Sequence, residues 1–124
     1  MMSLSINDER LYFSSVEELP PLLDQMKRTS LLEAWISKSG GPALSMLRNG
    51  EHAFLMYLRE EGDSGFTSRS QVQSDKMISF TLENGQVDQH PAHWCVGISE
   101  CLKAFSYFAE HDGARTPDVI WHED

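Results

Sequence analysis

The chain has 124 residues, which is the length of one domain and enough to form a hydrophobic core without disulfides or metals. Its hydrophobic content of 40% is typical of globular proteins and argues against a disordered chain. Ten Lys and Arg residues against nineteen Asp and Glu residues give a net charge of −9 at pH 7. This charge argues against electrostatic binding to nucleic acid or anionic membranes, and it favours a basic partner.

The composition of individual segments predicts a cytoplasmic location. The N-terminus has no basic segment followed by an apolar one, and the longest apolar runs, such as residues 53–58, are too short to span a bilayer. Cys95 and Cys101 are too few for the framework of a secreted mini-protein, so we interpret them as reduced thiols.

The N-terminal part is predicted to contain one helix. Residues 1–10 are polar and are expected to be partly frayed. Ser15 and Glu18 have the spacing of a capping box, and the two prolines that follow fit only the first turn of a helix. The main helix is therefore expected to begin near Leu19 and to end near residue 28. Its inward-facing side chains are predicted from their spacing to be Leu22, Leu23 and Met26.

The middle of the chain is predicted to form strands. Apolar and polar residues alternate over residues 32–37, and a second short strand is expected over residues 43–48. Asn49 and Gly50 predict a two-residue type I′ hairpin turn, because both residue types tolerate positive φ. The return strand, residues 51–59, has an almost continuously apolar centre, which is typical of a central strand covered on both faces.

The last part is predicted to contain a long loop, a second hairpin and a second helix. Residues 60–75 are polar and contain two glycines, which indicates a loop. Strands are expected at residues 77–83 and 86–90, on either side of an Asn-Gly turn. The apolar spacing of residues 98–111 predicts a helix, and residues 119–121 predict a last short strand.

This order of elements predicts an α+β fold. We expect one domain, residues 1–124, built on a mainly antiparallel sheet of about five to six strands. An N-terminal and a C-terminal helix are expected to pack on that sheet.

The candidates for catalytic chemistry are weak. His90 and His93, together with a carboxylate, have zinc-ligand chemistry and would suit a small metal-dependent hydrolase, but their spacing is not a recurrent zinc motif. Cys95 and Cys101 lie among apolar residues, where a thiol is expected to be inert. Adjacent carboxylates in so acidic a chain indicate a solvated face. We therefore predict no catalytic residue, no metal and no cofactor.

Several segments of the second half carry a family resemblance. They are a glycine–phenylalanine loop, a strand, an Asn-Gly turn, a Pro-x-x-Trp step and a tryptophan–acidic tail. In order, they read Glu61-Gly62-Asp63-Ser64-Gly65-Phe66-Thr67-Ser68, Ile78-Ser79-Phe80, Asn84-Gly85-Gln86, Pro91-Ala92-His93-Trp94 and Ile120-Trp121-His122-Glu123-Asp124. Together with the helix that precedes the tail, they make residues 53–124 resemble the first-numbered immunity-protein family of bacterial polymorphic toxin systems.

That resemblance implies an inhibitor that is not an enzyme. Such proteins bind a cognate toxin domain in the cytoplasm, and the toxins include nucleic-acid deaminases and nucleases delivered by contact-dependent or type VI secretion. We expect the inhibitor to block the active cleft of the toxin, and the sequence leaves open whether it does so directly or from a neighbouring exosite. An acidic inhibitor suits a toxin that is basic around its cleft.

The predicted contact surface combines the polar loop, the acidic residues of the second hairpin and the C-terminal tail. The carboxylates are expected to pair with basic toxin side chains, and Phe66 is expected to be an apolar anchor. The residues predicted to bind the toxin are Glu60, Glu61, Asp63, Ser64, Phe66, Glu83, Asp88, His122, Glu123 and Asp124. A metal-dependent hydrolase and a secretion adaptor or chaperone are the alternatives, and the sequence leaves the oligomeric state open.

Overall fold

The computed structural model describes residues 2–124 and has a large antiparallel sheet as its centre. The seven strands, in spatial order, are β2 (Glu9–Phe13), β1 (Met2–Ile6), β3 (Leu31–Lys38), β4 (Ala43–Asn49), β5 (His52–Leu58), β6 (Phe66–Arg69) and β9 (Ile120–Glu123). The two helices are α1 (Leu19–Lys27) and α2 (Ile98–Glu110), and the separate hairpin consists of β7 (Met77–Thr81) and β8 (Val87–Pro91). The predicted α+β fold with a mainly antiparallel sheet is confirmed.

Two details of that prediction were wrong. The sheet has seven strands rather than five or six, and the first helix follows the β1–β2 hairpin instead of opening the chain. The residues expected to be frayed form this hairpin, because Leu4 and Ile6 alternate with polar residues and are buried in the core. Asn7 adopts a φ of 53° at the turn and accepts a hydrogen bond from the Glu33 backbone N–H at 2.9 Å. Residue 1 lies outside the described residues.

Besides β1 and β2, the sequence analysis missed β6, which lies inside the segment predicted to be a loop. Gly65 precedes it with a φ of 77°, a left-handed conformation that glycine adopts easily. β6 then pairs with β5 on one side and with β9 on the other. The predicted hairpin between β4 and β5 is confirmed, but its turn lies one residue later, at Gly50 and Glu51, because Asn49 pairs with His52.

Both helices pack on one face of the sheet. Met26 of α1 and Phe105 and Phe108 of α2 are fully buried against the inward-facing side chains of the strands. The predicted capping box of Ser15 and Glu18 is present, although it caps the short 3-10 helix Val16–Glu18 that leads into α1. In residues 2–124, no helix has the length and apolar character that crossing a lipid bilayer would need.

The β7–β8 hairpin packs on the opposite face. Successive side chains of a strand point to opposite faces, so β5 directs Ala53 and Leu55 toward the helices and Phe54 toward the hairpin. This confirms the prediction that β5 is a central strand covered on both faces. Because the hairpin is short, it covers only one end of this face of the sheet. The rest of that face is open.

Candidate functional site

A small aromatic core lies between the β7–β8 hairpin and the end of the sheet that it covers. Phe80 of β7 has 0% exposure and packs on Leu47 and Phe54 of the sheet. The rings of Phe54 and Phe80 meet edge to face, with their centroids 5.1 Å apart. His90 of β8 stacks on Trp94 at 5.2 Å, and burial lowers the pKa of its imidazole.

Polar contacts fix the hairpin in its position. One carboxylate oxygen of Glu33 accepts the backbone N–H of Glu83 at 3.1 Å, and the other accepts the indole N–H of Trp35 at 2.9 Å. Asn49 donates from its side chain to the Ser79 carbonyl at 2.9 Å. An isolated two-stranded hairpin is marginally stable, so these contacts and the aromatic core determine where it lies.

Beside the hairpin, one row of side chains crosses the open face of the whole sheet. Its members are paired strand by strand and therefore share this face. From one sheet edge to the other, this open row consists of Arg10, Ser5, Trp35, Ser45, Met56, Thr67 and His122.

A groove of about 370 Å³ lies between the middle of the open row and the hairpin. We call it the hairpin groove, and its lining is mainly apolar. The floor is formed by Trp35, Ser45, Met56 and Thr67, and the wall by Leu82, Asp88 and His90. Its volume is at the lower end of the range for ligand sites.

Carboxylates surround this apolar floor. Glu33, Asp88 and Asp124 all line the hairpin groove. Asp88 accepts a hydrogen bond from the Gln86 side-chain amide at 2.7 Å. Within residues 2–124, neither Glu33 nor Asp88 has an ion-pair partner, and Asp124 has only His122, at 4.0 Å. The site is therefore negative at its rim and apolar at its base.

The loop after β5 holds a second group of predicted residues. Asp63 accepts hydrogen bonds from both the backbone and the side chain of Arg59, each at 2.9 Å. The guanidinium holds the pKa of the Asp63 carboxyl well below its usual range. Asp63 thus shapes the loop, whereas Glu60 and Glu61 are exposed and take part in no ion pair among residues 2–124.

Ser64 and Phe66 connect this loop to the C-terminal tail and to the core. The Ser64 hydroxyl donates to the Asp124 carbonyl at 3.0 Å, and the Asp124 N–H donates to the Gly65 carbonyl at 2.9 Å. Phe66 is partly buried on the helix face, where the Arg115 guanidinium lies 3.8 Å from its ring centroid. Its ring therefore packs inward, and only part of its surface is accessible to a partner.

The structure thus divides the predicted contact residues into two neighbouring groups. Asp88 and Asp124 meet at the hairpin groove, His122 ends the open row, and Glu83 lies at the hairpin turn beside Glu33. The other residues lie at the loop and the sheet edge: Glu60, Glu61, Asp63, Ser64, Phe66 and Glu123. A toxin-binding role for these ten residues remains a prediction.

Sequence reasoning missed the floor of the groove. Trp35 and Glu33 fall on the polar side of the alternation in β3, which placed them on the face away from the helical core. That alternation could have indicated an outward-facing tryptophan, but the partners of this residue, Ser45 and Met56, follow only from the strand register.

The two cysteines considered as catalytic nucleophiles are buried or partly buried by packing. Cys101 is fully buried in the main core, and burial raises the pKa of its thiol. Burial also raises the pKa of Cys95, which packs beside the hairpin core. Among residues 2–124, no three His, Cys, Asp or Glu side chains are grouped as metal ligands would be.

Comparison with known protein families decides the class of this molecule. The family model described as Immunity protein Imm1 matches residues 7–123. The chain belongs to the Imm1 immunity-protein family. This confirms the predicted resemblance and extends it to the first half of the chain. No curated protein matches the sequence significantly. Family membership supports an immunity function for this Imm1 protein, and it points to a non-catalytic inhibitor.

Proposed function

We propose that this Imm1 protein binds a cognate toxin domain of a polymorphic toxin system in the cytoplasm and blocks its active cleft. The toxin is a nucleic-acid deaminase or nuclease whose cleft is basic. The family match over residues 7–123 is the observation that carries this proposal. The inhibitor itself performs no chemistry, so protection depends on affinity and stoichiometry.

The charge of the chain supports this mode of inhibition. A surface with net charge −9 attracts a basic cleft at long range and accelerates association. Once bound, carboxylates occupy the positions that nucleic-acid phosphates would take in the cleft. The toxin then loses its substrate site by competition.

The size of the chain is sufficient for such an interface. A standard interface buries about 800 Å² on each partner. The accessible surface of this chain is 6972 Å², so the interface requires roughly a ninth of it. The proposed contact surface runs from Glu60 and Glu61, across the C-terminal tail, to Glu83 and Asp88 on the hairpin. Asp63, Ser64 and Phe66 hold the loop in the shape that presents it.

Co-expression with the toxin tests this function. The partner to express is the C-terminal domain encoded immediately upstream of this gene. Survival of the host, with recovery of a stable one-to-one complex, is the expected result. Toxicity that persists despite folded Imm1 protein, or a neighbouring domain that shows no toxicity, would contradict the proposal.

A further inference from the structure

We infer that the hairpin groove receives an extended segment of the toxin domain that carries an arginine or lysine side chain. This inference rests on the proposed function, and it identifies the chemistry of the partner at one place in the interface. It is carried by the groove floor, by the carboxylates at the rim and by an unpartnered hydroxyl.

The floor provides apolar surface suited to a protein partner. Trp35 and Met56 are only partly buried, and they face the groove from β3 and β5. Tryptophan is enriched among residues that dominate binding energy, and methionine adapts its shape to a partner. Because the open row crosses the whole sheet beside the hairpin, it provides a straight path for an extended segment.

The rim defines the charge of the segment. Glu33 and Asp88 have no ion-pair partner within residues 2–124, and Asp88 belongs to the side of the hairpin that faces the sheet. Arg69 lies beside the groove, where it donates to Thr67, stacks 4.8 Å from the Trp94 ring centroid and interacts with the charge of Asp124, but it forms no ion pair with Glu33 or Asp88. A cation from the partner would therefore complete the rim.

Ser45 adds a hydroxyl to the groove. The residue has only 2% exposure and lines the groove. Its hydroxyl makes no hydrogen bond to any of residues 2–124, although it is not fully sealed from the groove. The hydroxyl is therefore available to a donor or acceptor of the bound segment.

Arginine suits these surroundings in particular. Its planar guanidinium stacks on aromatic rings and donates several hydrogen bonds in fixed directions. These properties match a floor that contains Trp35 and a rim that carries carboxylates. Lysine offers the same charge with less directional hydrogen bonding.

A matched pair of methionine variants tests the groove. Met56→Lys places a cation on the floor, where it competes with that of the toxin. Met77→Lys makes the same chemical change on the outer side of the hairpin, where Met77 is 53% exposed. Affinity is measured by calorimetry with the purified upstream toxin domain, made catalytically inactive, after circular dichroism has shown that both variants fold. We expect Met56→Lys to weaken binding more than tenfold and Met77→Lys to leave it nearly unchanged.

A second pair tests the charge. Asp88→Asn removes one rim carboxylate, and Glu110→Gln removes an exposed carboxylate at the end of α2 on the opposite side. We expect Asp88→Asn to weaken binding about 10- to 100-fold, the range for loss of a charge-assisted hydrogen bond. In a double-mutant cycle, one Arg or Lys of the toxin should couple to Asp88.

The outcomes separate this inference from the proposed function. If the wild type binds and all four variants bind equally well, the groove assignment is overturned while the immunity function stands. Equal losses for Met56→Lys and Met77→Lys overturn it as well. If no Arg or Lys of the toxin couples to Asp88, the cationic segment is overturned. If the wild-type protein neither binds nor rescues, the proposed function fails, and the groove assignment fails with it.

Discussion

Phe80 fastens the β7–β8 hairpin to the sheet, and its replacement by alanine is expected to release the hairpin while the rest of the domain stays folded. Phe80 is the fully buried side chain of the hairpin core, and its partners are Leu47 and Phe54. Truncating a buried phenylalanine costs about 3–5 kcal/mol. The two hydrogen bonds that Asn49 and Glu33 make to the hairpin contribute about 0.5–1.5 kcal/mol each, so they cannot offset that loss.

Amide hydrogen exchange measures this release directly. In Phe80→Ala, exchange in residues 77–91 should accelerate by more than about 100-fold, as a loss of 3 kcal/mol or more implies. The ladder between β3, β4 and β5 should keep its protection, because its inward-facing side chains belong to the separate main core. Met77→Ala is the control, since Met77 lies on the exposed side of the same strand.

Two results would refute this reasoning. Unchanged protection of residues 77–91 in Phe80→Ala would show that other contacts hold the hairpin. Loss of protection throughout the domain would show that the hairpin and the sheet unfold as one unit. In the expected case, toxin affinity should fall in Phe80→Ala and persist in Met77→Ala, because the hairpin forms the wall of the groove.

Three further predictions concern the loop and the thiols. Gly65→Ala should destabilise the protein by about 1–3 kcal/mol more than Gly62→Ala in urea unfolding. Both glycines have positive φ, but of the two only a Cβ at position 65 would meet a β5 carbonyl, at 2.6 Å. Equal losses of stability would contradict this. The pKa of Asp63 is lowered in the folded state, so the ionised carboxylate stabilises the protein above the ordinary pKa of 3.8, and this stabilisation is lost as pH falls below that value. The difference in unfolding free energy between the wild type and Asp63→Asn should therefore shrink on acidification. A difference that stays constant with pH would contradict this. Ellman's reagent should react slowly with Cys95 and hardly at all with Cys101 until the protein is unfolded, and rapid reaction of the native protein would show that these thiols are accessible.

Local sequence patterns predicted the elements that depend on local physics. Alternation and Asn-Gly turns identified β3, β4, β5 and the β7–β8 hairpin, because side-chain period and turn chemistry are set by neighbouring residues. The spacing of buried Phe105 and Phe108 identified α2 for the same reason.

Two of the missed strands depend on distant partners. β6 has four residues and forms its longest ladder with β9, pairing Phe66 with Glu123. β1 pairs with β3, so that Leu4 lies opposite Ile36. The partners of β6 and one partner of β1 are therefore far away along the chain, whereas β2 pairs only with the neighbouring β1, across the turn at Asn7.

Charge predicted some residues of the candidate site, but the shape of the groove was not predicted. The acidic composition led to Glu83, Asp88 and Asp124, which lie at or beside the hairpin groove. The pairing of Asp63 with Arg59 depends on the loop conformation, and the floor depends on the register that aligns Trp35 with Ser45. Neither is encoded in a local pattern.

The central claim is inhibition by stoichiometric binding, and titration of toxin activity tests it most directly. A fixed amount of the purified upstream toxin domain, acting on its nucleic-acid substrate, is titrated with purified Imm1 protein. Activity should fall linearly and vanish at one equivalent, and excess substrate should slow the onset of inhibition because both compete for the cleft. Complete inactivation by a small fraction of an equivalent would show that the chain acts catalytically. Residual activity at several equivalents would show that it does not block the toxin.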